Sequence, residues 1–307
     1  PLYGLKPATR AVPGTYCWGE DLYKKGVRPF SEVAEGRMTV KEFLAQMTDE
    51  EVAHLLGGQP NTGVANTFGW GNMPEYGIPN CMTADGPAGL RIAPECGVTT
   101  TAWPCATLLA ATWNPNVVYQ VGAAGGKEVK ENNIAAWLTP ALNIHRSPLC
   151  GRNFEYYSED PLLAGVLAGA MVKGIQSQGV AATVKHFALN NKETDRKHSD
   201  SRVSERAARE IYLKAFEYVI KGAKPWAVMS SYNIINGCYA SENKELLEDI
   251  LRDEWGFDGM VTTDWWTLGE HYKEVKAGND MKMACGDPKR LKEAMDQGLL
   301  TRQDLEH

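Results

Sequence analysis

Short apolar runs alternate with longer segments of helical pattern from about residue 80 to the end of the chain. Each run has the length and hydrophobicity of a buried strand, and the five are Cys81–Ala84, Ile134–Leu142, Val180–Val184, Trp226–Met229 and Met260–Thr263. Nearly continuous apolar strands separated by helices are typical of a parallel sheet covered on both faces. The number of units favours an α/β fold of the (β/α)8 TIM-like barrel type, with room for irregularity. A doubly wound sheet is the alternative, although no G-x-G-x-x-G motif opens a unit.

Helix start signals lie between these runs. Asp160-Pro161 supplies an N-cap and a first-turn proline before Leu162–Gln176, and Asp287-Pro288 repeats this signal. The pattern also predicts a helix over residues 204–221, with an apolar face that includes Ile211. Asn243 is predicted to cap a helix that ends at Gly256. Capping boxes are predicted at Thr39 with Glu42 and at Thr48 with Glu51, and a further helix start is predicted at Thr301 with Asp304.

Composition restricts the class of protein. The chain of 307 residues is 43% hydrophobic and 23% charged, as expected of a globular protein with a sizeable core. A formal charge of -6 argues against a nucleic-acid partner, and no run is long enough to span a membrane. The seven cysteines are odd in number and contain no C-x-x-C, so they favour a reducing, cytoplasmic location. Secretion stays open, because the chain begins at Pro1 and a signal peptide could have preceded it.

Polar residues follow each apolar run directly. In a parallel barrel all strand ends meet at one rim, where the chemistry of such folds takes place. The segments are Asp85–Arg91, Asn143–Arg146 with Gly151–Pro161, Lys185–Arg196, Ser230–Asn233 and Asp264–Trp266. Taken alone, each residue could be structural: Asp264 could cap the next helix, and Lys185 could be a strand-end lysine. Their placement together predicts a binding site.

A sugar suits this mixture of carboxylate, cation and aromatic side chains. Asp85 can accept hydrogen bonds from sugar hydroxyls, and an aromatic face at Trp265 can stack on the C–H face of the ring. Lys185, His186, Arg152 and Arg196 can donate hydrogen bonds, and we expect their charges to lower the pKa of Asp264 and keep it ionised as a nucleophile. No H-E-x-x-H or other metal-ligand spacing occurs, so no metal and no cofactor are predicted.

At these residues the chain resembles the barrel domain of glycoside hydrolase family 3, on its β-glucosidase branch. The motifs that carry the resemblance are DGPAGLR (85–91), GRNFEYYSEDP (151–161), KHFALNNKETDR (185–196), MSSYN (229–233) and TTDWW (262–266). The resemblance implies that Asp264 is the nucleophile of a retaining mechanism, with Thr263 where the family often has Ser. It implies that the sugar is bound by Asp85, Arg91, Arg152, Lys185, His186, Arg196, Tyr232 and Trp265.

One departure from the family concerns the second catalytic group. Retaining hydrolysis needs an acid/base carboxyl at roughly 5–5.5 Å from the nucleophile. In the family's β-glucosidases an α/β sandwich domain supplies it, and we expect this chain to lack that domain. The hexosaminidase branch instead uses a His in a K-H-F-P-G-H-G loop, where this chain reads Lys185–Asn191. We therefore expect the acid/base to come from another domain of the same polypeptide or from a second chain. Such a domain either follows the barrel or precedes it, and the long lead-in without motifs slightly favours the second, inverted order.

These observations lead to a main hypothesis and three alternatives. The main hypothesis is a retaining β-glucosidase that removes terminal β-linked glucose from oligosaccharides or aryl glucosides. The alternatives are a non-catalytic sugar-binding barrel, a related β-glycosidase with another sugar specificity, and an unrelated barrel enzyme such as an aldolase with Lys185 as its Schiff base. We expect residues 1–35 to be a lead-in segment or a linker from a neighbouring domain, and residues 36–307 to form the catalytic barrel.

Overall fold

The protein has an α/β fold in which a curled, mainly parallel sheet is covered by helices. The computed structural model describes residues 22–61, 63–284 and 286–307. The strands are β1 (Gly69–Met73), β2 (Ile78–Ala84), β3 (Ala136–Trp137), β4 (Ala181–Phe187), β5 (Asp200–Ser201), β6 (Ala227–Ser230), β7 (Ile234–Ile235), β8 (Cys238–Tyr239) and β9 (Met260–Thr263).

Most helices follow a strand or precede the first one. The α-helices are α1 (Ser31–Ala34), α2 (Val40–Leu44), α3 (Asp49–Leu55), α4 (Ala106–Ala111), α5 (Pro115–Glu131), α6 (Pro161–Gln176), α7 (Glu205–Ala207), α8 (Lys214–Ala223), α9 (His271–Lys276), α10 (Pro288–Asp296) and α11 (Arg302–Glu306). Two π-helices span Ala208–Tyr212 and Glu245–Glu254, and short 3₁₀ turns span Pro74–Tyr76, Pro94–Cys96, Asn153–Glu155 and Ala240–Glu242.

The main sheet has the strand order β1-β2-β3-β4-β6-β9, and every pair after the first is parallel. Each of the five predicted apolar runs contributes a parallel strand. The run Ile134–Leu142 is shorter as a strand than predicted, because only Ala136–Trp137 pairs with both neighbouring strands, β2 and β4. The antiparallel strand β1, which pairs Gly69 with Met82, was not predicted. The remaining short strands β5, β7 and β8 form a second, three-stranded sheet.

Three isolated bridges continue the pairing beyond the two outer strands of the main sheet. Thr262 of β9 pairs with Met281, Lys282 pairs with Gly57, and Gln59 pairs with Gly69 of β1. These pairs link β9 to β1 through two short extended segments. The connection matters for the site, because it brings the segment before β1 beside the segment after β9.

The predicted helix caps are confirmed. The side chains of Asp160 and Asp287 each accept two backbone N–H groups at the starts of α6 and α10. The capping boxes at Thr39, Thr48 and Thr301 are present as well. The predicted helix over residues 204–221 is interrupted, because a π-helix separates α7 from α8. The apolar face assigned to this segment is wrong at one position, since the side chain of Ile211 is 42% exposed.

Two hydrophobic clusters hold these elements together. The larger cluster lies between the parallel strands and the helices α4, α5, α6 and α8, and Trp137, Leu167, Val184 and Phe216 are among its fully buried members. The smaller cluster joins α2 and α3 to α9, α10 and α11 through residues such as Phe43 and Leu291. Burial of this apolar surface is the main source of stability.

The sequence predictions about domains and location have different outcomes. The predicted lead-in segment, residues 1–35, falls partly outside the described residues, and the domain boundary at residue 36 stays a prediction. Cys17 and Cys285 also lie outside the described residues, and the five described cysteines are free thiols. None of the helices in the described part of the chain has both the length and the hydrophobicity needed to cross a bilayer.

Candidate active site

A cavity of about 480 Å³ lies at the carboxyl ends of the parallel strands. Asp85 follows β2, Lys185 and His186 lie near the end of β4, Tyr232 follows β6 and Asp264 follows β9. Every residue proposed from the sequence for the sugar site lines this cavity: Asp85, Arg91, Arg152, Lys185, His186, Arg196, Tyr232, Asp264 and Trp265. The roles assigned to these residues stay predictions, and their geometry defines what the site can do.

Asp85 is held by two cations. Its Oδ1 accepts a hydrogen bond from Lys185 Nζ at 2.8 Å, and its Oδ2 accepts one from Arg91 at 3.0 Å. Burial would raise the pKa of Asp85, but the charges of Lys185 and Arg91 outweigh burial and lower it to about 2. Asp85 is therefore a fixed carboxylate at neutral pH and can accept hydrogen bonds from hydroxyl groups, but it cannot act as an acid.

His186 lies in a buried network with a defined tautomer. Its Nε2 contacts Arg152 Nη2 at 2.9 Å, and its Nδ1 contacts the Tyr156 hydroxyl at 3.1 Å. Burial, followed by the charges of Arg152 and Lys185, lowers the pKa of His186 well below its ordinary value, so the ring is neutral. Because a guanidinium can only donate, Nε2 must accept from Arg152, and the proton on Nδ1 is donated to Tyr156.

Two side chains from neighbouring segments position this network. The Asn143 side chain donates to the His186 carbonyl and accepts from the His186 N–H, both at 2.9 Å. His145 Nε2 lies 2.9 Å from the Asn153 carbonyl and 3.0 Å from the Tyr156 carbonyl. These bonds fix the loop that carries Arg152, whose guanidinium also forms an ion pair with Glu155.

Asp264 lies in the wall of the cavity and is only 8% exposed. Its Oδ1 accepts a hydrogen bond from the backbone N–H of Trp265 at 2.8 Å. Its Oδ2 accepts no hydrogen bond from any described residue, and His186 Nε2 lies 3.9 Å from it. The Thr263 hydroxyl supports the turn after β9, because it donates to the Asp264 carbonyl at 2.8 Å and accepts from the Met283 N–H at 2.9 Å.

The cations lower the pKa of Asp264 as expected, but they do not determine its net shift. The pKa of Asp264 is raised from its ordinary value, because burial disfavours the charged form more than its surroundings favour it. The Trp265 N–H and the charges of Arg152, Lys185 and Arg196 oppose this rise. They do not reverse it because none of these cations forms an ion pair with Asp264, whereas Lys185 is paired with Asp85.

Tyr232 connects Asp264 to the segment that follows β4. Its hydroxyl donates to the Trp265 carbonyl at 2.6 Å, and burial followed by the Asp264 charge raises its pKa. The cations of Arg196 and Lys197 lie 4.6 Å and 4.9 Å from the centre of its ring. These contacts are in the range of favourable cation–π interactions and orient Arg196 at the cavity wall.

The sequence prediction missed several residues that also line the cavity. They are Asn66, Thr67, Phe68, Leu138, Phe154, Glu155, Met229 and Trp266. The segment before β1 is part of the site, because Thr67 Oγ1 accepts from Trp265 Nε1 at 2.6 Å and Asn66 accepts from the Asp85 N–H at 3.1 Å. No periodicity or motif marks this segment, whereas Phe154 and Trp266 lie inside motifs that were noted and could have been included. Among the described residues, no group of three His, Cys, Asp or Glu side chains is arranged to hold a metal ion.

Comparison with known proteins gives a consistent result. The family described as Glycosyl hydrolase family 3 N terminal domain matches residues 72–307. Beta-glucosidase A of Butyrivibrio fibrisolvens is 65% identical over 279 residues, which cover 91% of this chain and 34% of that protein. An exo-alpha-(1->6)-L-arabinopyranosidase of Bifidobacterium longum is 45% identical over 85% of this chain and 35% of that protein.

A solved structure agrees with these relatives. Beta-glucosidase 3B from Thermotoga neapolitana, in complex with alpha-D-glucose, matches with a TM-score of 0.82 at 44% identity, over 88% of this chain and 41% of that one. The chain spans about a third of the length of the curated relatives it matches. Since the family's N-terminal domain matches most of its length, the chain belongs to glycoside hydrolase family 3.

Proposed function

We propose that this chain is the nucleophile-bearing part of a retaining β-glucosidase that removes terminal β-linked glucose. The observation that carries the proposal is Asp264, a cavity carboxylate whose Oδ2 accepts no hydrogen bond from any described residue. The same cavity contains Asp85, fixed as an acceptor by Lys185 and Arg91. The identity of 65% to a protein named beta-glucosidase A supports glucose as the sugar.

In this proposal, Asp264 attacks the anomeric carbon and forms a covalent glycosyl-enzyme as the bond to the leaving oxygen breaks. Water then attacks the same carbon and releases the sugar with retained configuration. The raised pKa of Asp264 is compatible with this role, because a sugar hydroxyl that donated to the unpartnered Oδ2 would favour the charged form. Asp85, Lys185, His186 and Arg152 would hold the sugar hydroxyls by complementary acceptors and donors.

The acid/base carboxyl is proposed to lie outside this chain. Within the described residues, the cavity contains only two further carboxylates, Asp85 and Glu155. Asp85 has a pKa of about 2 and is ionised, so it cannot protonate a leaving group near neutral pH. Glu155 is committed to its ion pair with Arg152. An α/β sandwich domain of the same polypeptide, or a second chain, would complete the site.

We also propose that the sheet closes as an irregular TIM-like barrel within residues 36–307. The bridges from β9 to Met281, from Lys282 to Gly57 and from Gln59 to Gly69 support this closure. The antiparallel β1 and the short bridging segments would make the barrel irregular. A closed barrel would hold Thr67 and Trp265, which lie far apart in sequence, on one rim.

Two alternatives are favoured by particular observations. The 45% identity to an arabinopyranosidase favours a related glycosidase that acts on a pentopyranose. The absence of an unpaired second carboxylate among the described cavity residues favours a barrel that binds sugar without turnover when it is isolated. The rates at which the full polypeptide hydrolyses glucosides and arabinopyranosides distinguish the proposed β-glucosidase from the first alternative. The presence or absence of turnover distinguishes it from the second.

Covalent labelling of the full polypeptide tests the mechanism. We expect 2-deoxy-2-fluoro-β-glucosyl fluoride to label Asp264, as located by peptide mass spectrometry. Asp264→Asn should abolish the label and lower kcat/KM by about a thousandfold or more, because covalent catalysis is lost. Asp258→Asn is the matched control, since Asp258 is an exposed carboxylate just before β9 and should leave activity unchanged. Label on another residue, or undiminished turnover by Asp264→Asn, would refute the proposed nucleophile.

A further inference from the structure

A buried ion pair lies outside the cavity, in a part of the molecule that the proposed mechanism does not use. Glu274 of α9 is fully buried, and its Oε2 is paired with the ammonium group of Lys282, whose side chain is 15% exposed. Neither residue lines the cavity. Because a charge at this depth is costly unless its surroundings satisfy it, the partners of the pair show which segments it joins.

The partners of the pair belong to the loop that follows β9. The Thr267 hydroxyl donates to Glu274 Oε1 at 2.7 Å and accepts from Lys282 Nζ at 3.2 Å. Lys282 Nζ also donates to the Gly269 carbonyl at 2.9 Å. Together with the bond to Glu274, these contacts use all three donors of the ammonium group. The pair therefore holds the loop at two points, three and five residues after Asp264.

The loop passes so close to the pair that residue 269 has no room for a side chain. A Cβ at Gly269 would lie 2.5 Å from Glu274 Oε1 and 3.0 Å from Ser241 Oγ. The Ser241 hydroxyl itself donates to Glu274 Oε1 at 2.9 Å. The Glu274 carboxylate is therefore enclosed by the loop after β9 on one side and by the turn after β8 on another.

The same cluster reaches the end of β6 through Asn279. The side-chain oxygen of Asn279 accepts from Ser230 Oγ at 2.9 Å, and its side-chain nitrogen donates to the Glu274 carbonyl at 3.0 Å. Ser230 is the last residue of β6, and its carbonyl accepts the Asp264 N–H at 3.0 Å. The start of the loop and the helix that carries Glu274 are thus both anchored on one strand end.

The direction of the Asp264 carboxylate depends on the backbone of this loop. Within the described part of the chain, its Oδ1 accepts from the Trp265 N–H, and its Oδ2 accepts no hydrogen bond. The Trp265 N–H is the first donor of the loop that Thr267 and Gly269 fasten to the ion pair. A shift of this loop would therefore turn the carboxylate.

We infer that Glu274 is a positioning residue for the reaction: with Lys282 it holds the loop after β9 so that Asp264 faces the cavity in one orientation. The inference rests on the proposed function, because this orientation affects a rate only if Asp264 is the nucleophile. A buried ion pair adds little stability over apolar packing, but its hydrogen bonds fix one arrangement of the segments it joins. Asp85 and Lys185 lie after β2 and on β4, so binding of the sugar hydroxyls does not depend on this pair.

The test separates the rate of attack from sugar binding in the full polypeptide. Glu274→Gln should lower the maximal rate constant for labelling of Asp264 by 2-deoxy-2-fluoro-β-glucosyl fluoride about tenfold or more, since small displacements of a reacting group are costly. The inhibition constant of free glucose should change less than about twofold, because the sugar ligands lie on other strands. Thr267→Val should change both values in the same way, and Thr267→Ser, which keeps the hydroxyl, should restore most of the rate. The two Thr267 variants decide the question if Glu274→Gln does not fold.

The matched control is Thr183→Val, since Thr183 is fully buried on β4 and its hydroxyl has no hydrogen-bond partner among the described residues. This variant should leave the labelling rate and the glucose constant unchanged. An unchanged labelling rate in folded Glu274→Gln or Thr267→Val would overturn the inference, as would equal losses in Thr267→Val and Thr267→Ser. A parallel loss of glucose binding would overturn it too, because the pair would then support the whole site. Absent labelling of Asp264 in the wild type would refute the proposed function and the inference with it, whereas normal wild-type labelling with unaffected variants would refute only the positioning role.

Discussion

Asp85 and Asp264 lie in one cavity, but their surroundings shift their pKa values in opposite directions. Lys185 and Arg91 contact Asp85 directly and lower its pKa to about 2. No cation in the described part of the chain is paired with Asp264, and burial raises its pKa. A difference between the pKa values of neighbouring carboxyl groups is the usual way in which one site gives different roles to chemically identical side chains. It supports Asp85 as a permanent acceptor and Asp264 as the group that reacts.

The Asp85–Lys185 pair leads to a prediction about stability. Asp85→Asn should lower the free energy of unfolding at pH 7 by about 3 kcal/mol, because it leaves the charge of Lys185 buried without its partner. The folded pKa of Asp85 is below its ordinary 3.8, so its contribution is present above that value and is lost as pH falls towards 2. The difference between wild type and variant should therefore shrink below pH 4.

Denaturant unfolding between pH 7 and pH 3 measures this difference. The exposed carboxylate variant Asp258→Asn serves as the control and should follow the wild type throughout. A difference between Asp85→Asn and wild type that stays constant down to pH 3 would contradict the proposed ionisation of Asp85. The inhibition constant of glucose, measured on the same samples, should rise only for Asp85→Asn.

At the scale of elements, the predictions from sequence were most accurate where the local chemistry of a segment and its burial in the fold favour the same structure. Met260–Thr263 forms a strand with the predicted bounds, because three of its four side chains, Val261, Thr262 and Thr263, are buried in a parallel sheet. Asp160-Pro161 marks the start of α6 because the cap and the fixed proline φ act on the first turn alone. All nine proposed site residues line one cavity, since strand ends of a parallel sheet share one edge.

Elements that depend on distant partners could not be predicted in this way. Strand β1 contains two glycines and little alternation, and only its pairing with β2 makes it a strand. The pKa of Asp264 required the three-dimensional distances to the cations, which spacing in sequence does not provide. In contrast, α5 was missed although Asn114-Pro115 gives the same start signal as Asp160-Pro161.

The cap of α6 gives a prediction at this scale. Asp160 accepts the N–H groups of Leu162 and Leu163 at 2.7 Å and 3.0 Å. Asp160→Ala should lower the free energy of unfolding by about 1 kcal/mol, because these N–H groups lose their acceptor. Glu159→Ala, at the exposed neighbouring position, should change it by less than half as much. Equal effects of the two variants in urea unfolding would show that the cap adds nothing to stability.

At the scale of the whole molecule, the segment around Gly57 and Gly58 joins the beginning of the sheet to its end. The Gly58 N–H donates to the Lys282 carbonyl at 3.0 Å, Gly58 lies close to Met283 and Ala284, and Gly57 lies close to Gly286. This contact holds the segment before β1 against the segment after β9. Both segments lead to the cavity, one through Thr67 and the other from Trp265, so closure of the sheet and assembly of the site are coupled.

Gly58→Ala should therefore disrupt fold and site together. A Cβ at this position would lie 1.9 Å from the Ala284 carbonyl oxygen and 2.7 Å from Met283 Sδ, so backbone must move. We expect a loss of about 3 kcal/mol or more in the free energy of unfolding, with weaker glucose binding. The control is Gly222→Ala in α8, where nothing lies within 4 Å of the added Cβ and a gain of roughly 0.5–1 kcal/mol is expected.

Urea unfolding and glucose inhibition, measured on the same preparations, distinguish coupling from a local effect. If Gly58→Ala lowers stability but leaves the inhibition constant of glucose unchanged, the cavity does not depend on this contact, and the proposed closure does not position the site. If both change while Gly222→Ala leaves glucose binding intact, the contact between the two ends of the sheet positions the residues around Asp264. The site would then be a property of the closed sheet, since Thr67 and Trp265 are 198 positions apart in the chain and meet only when its ends join.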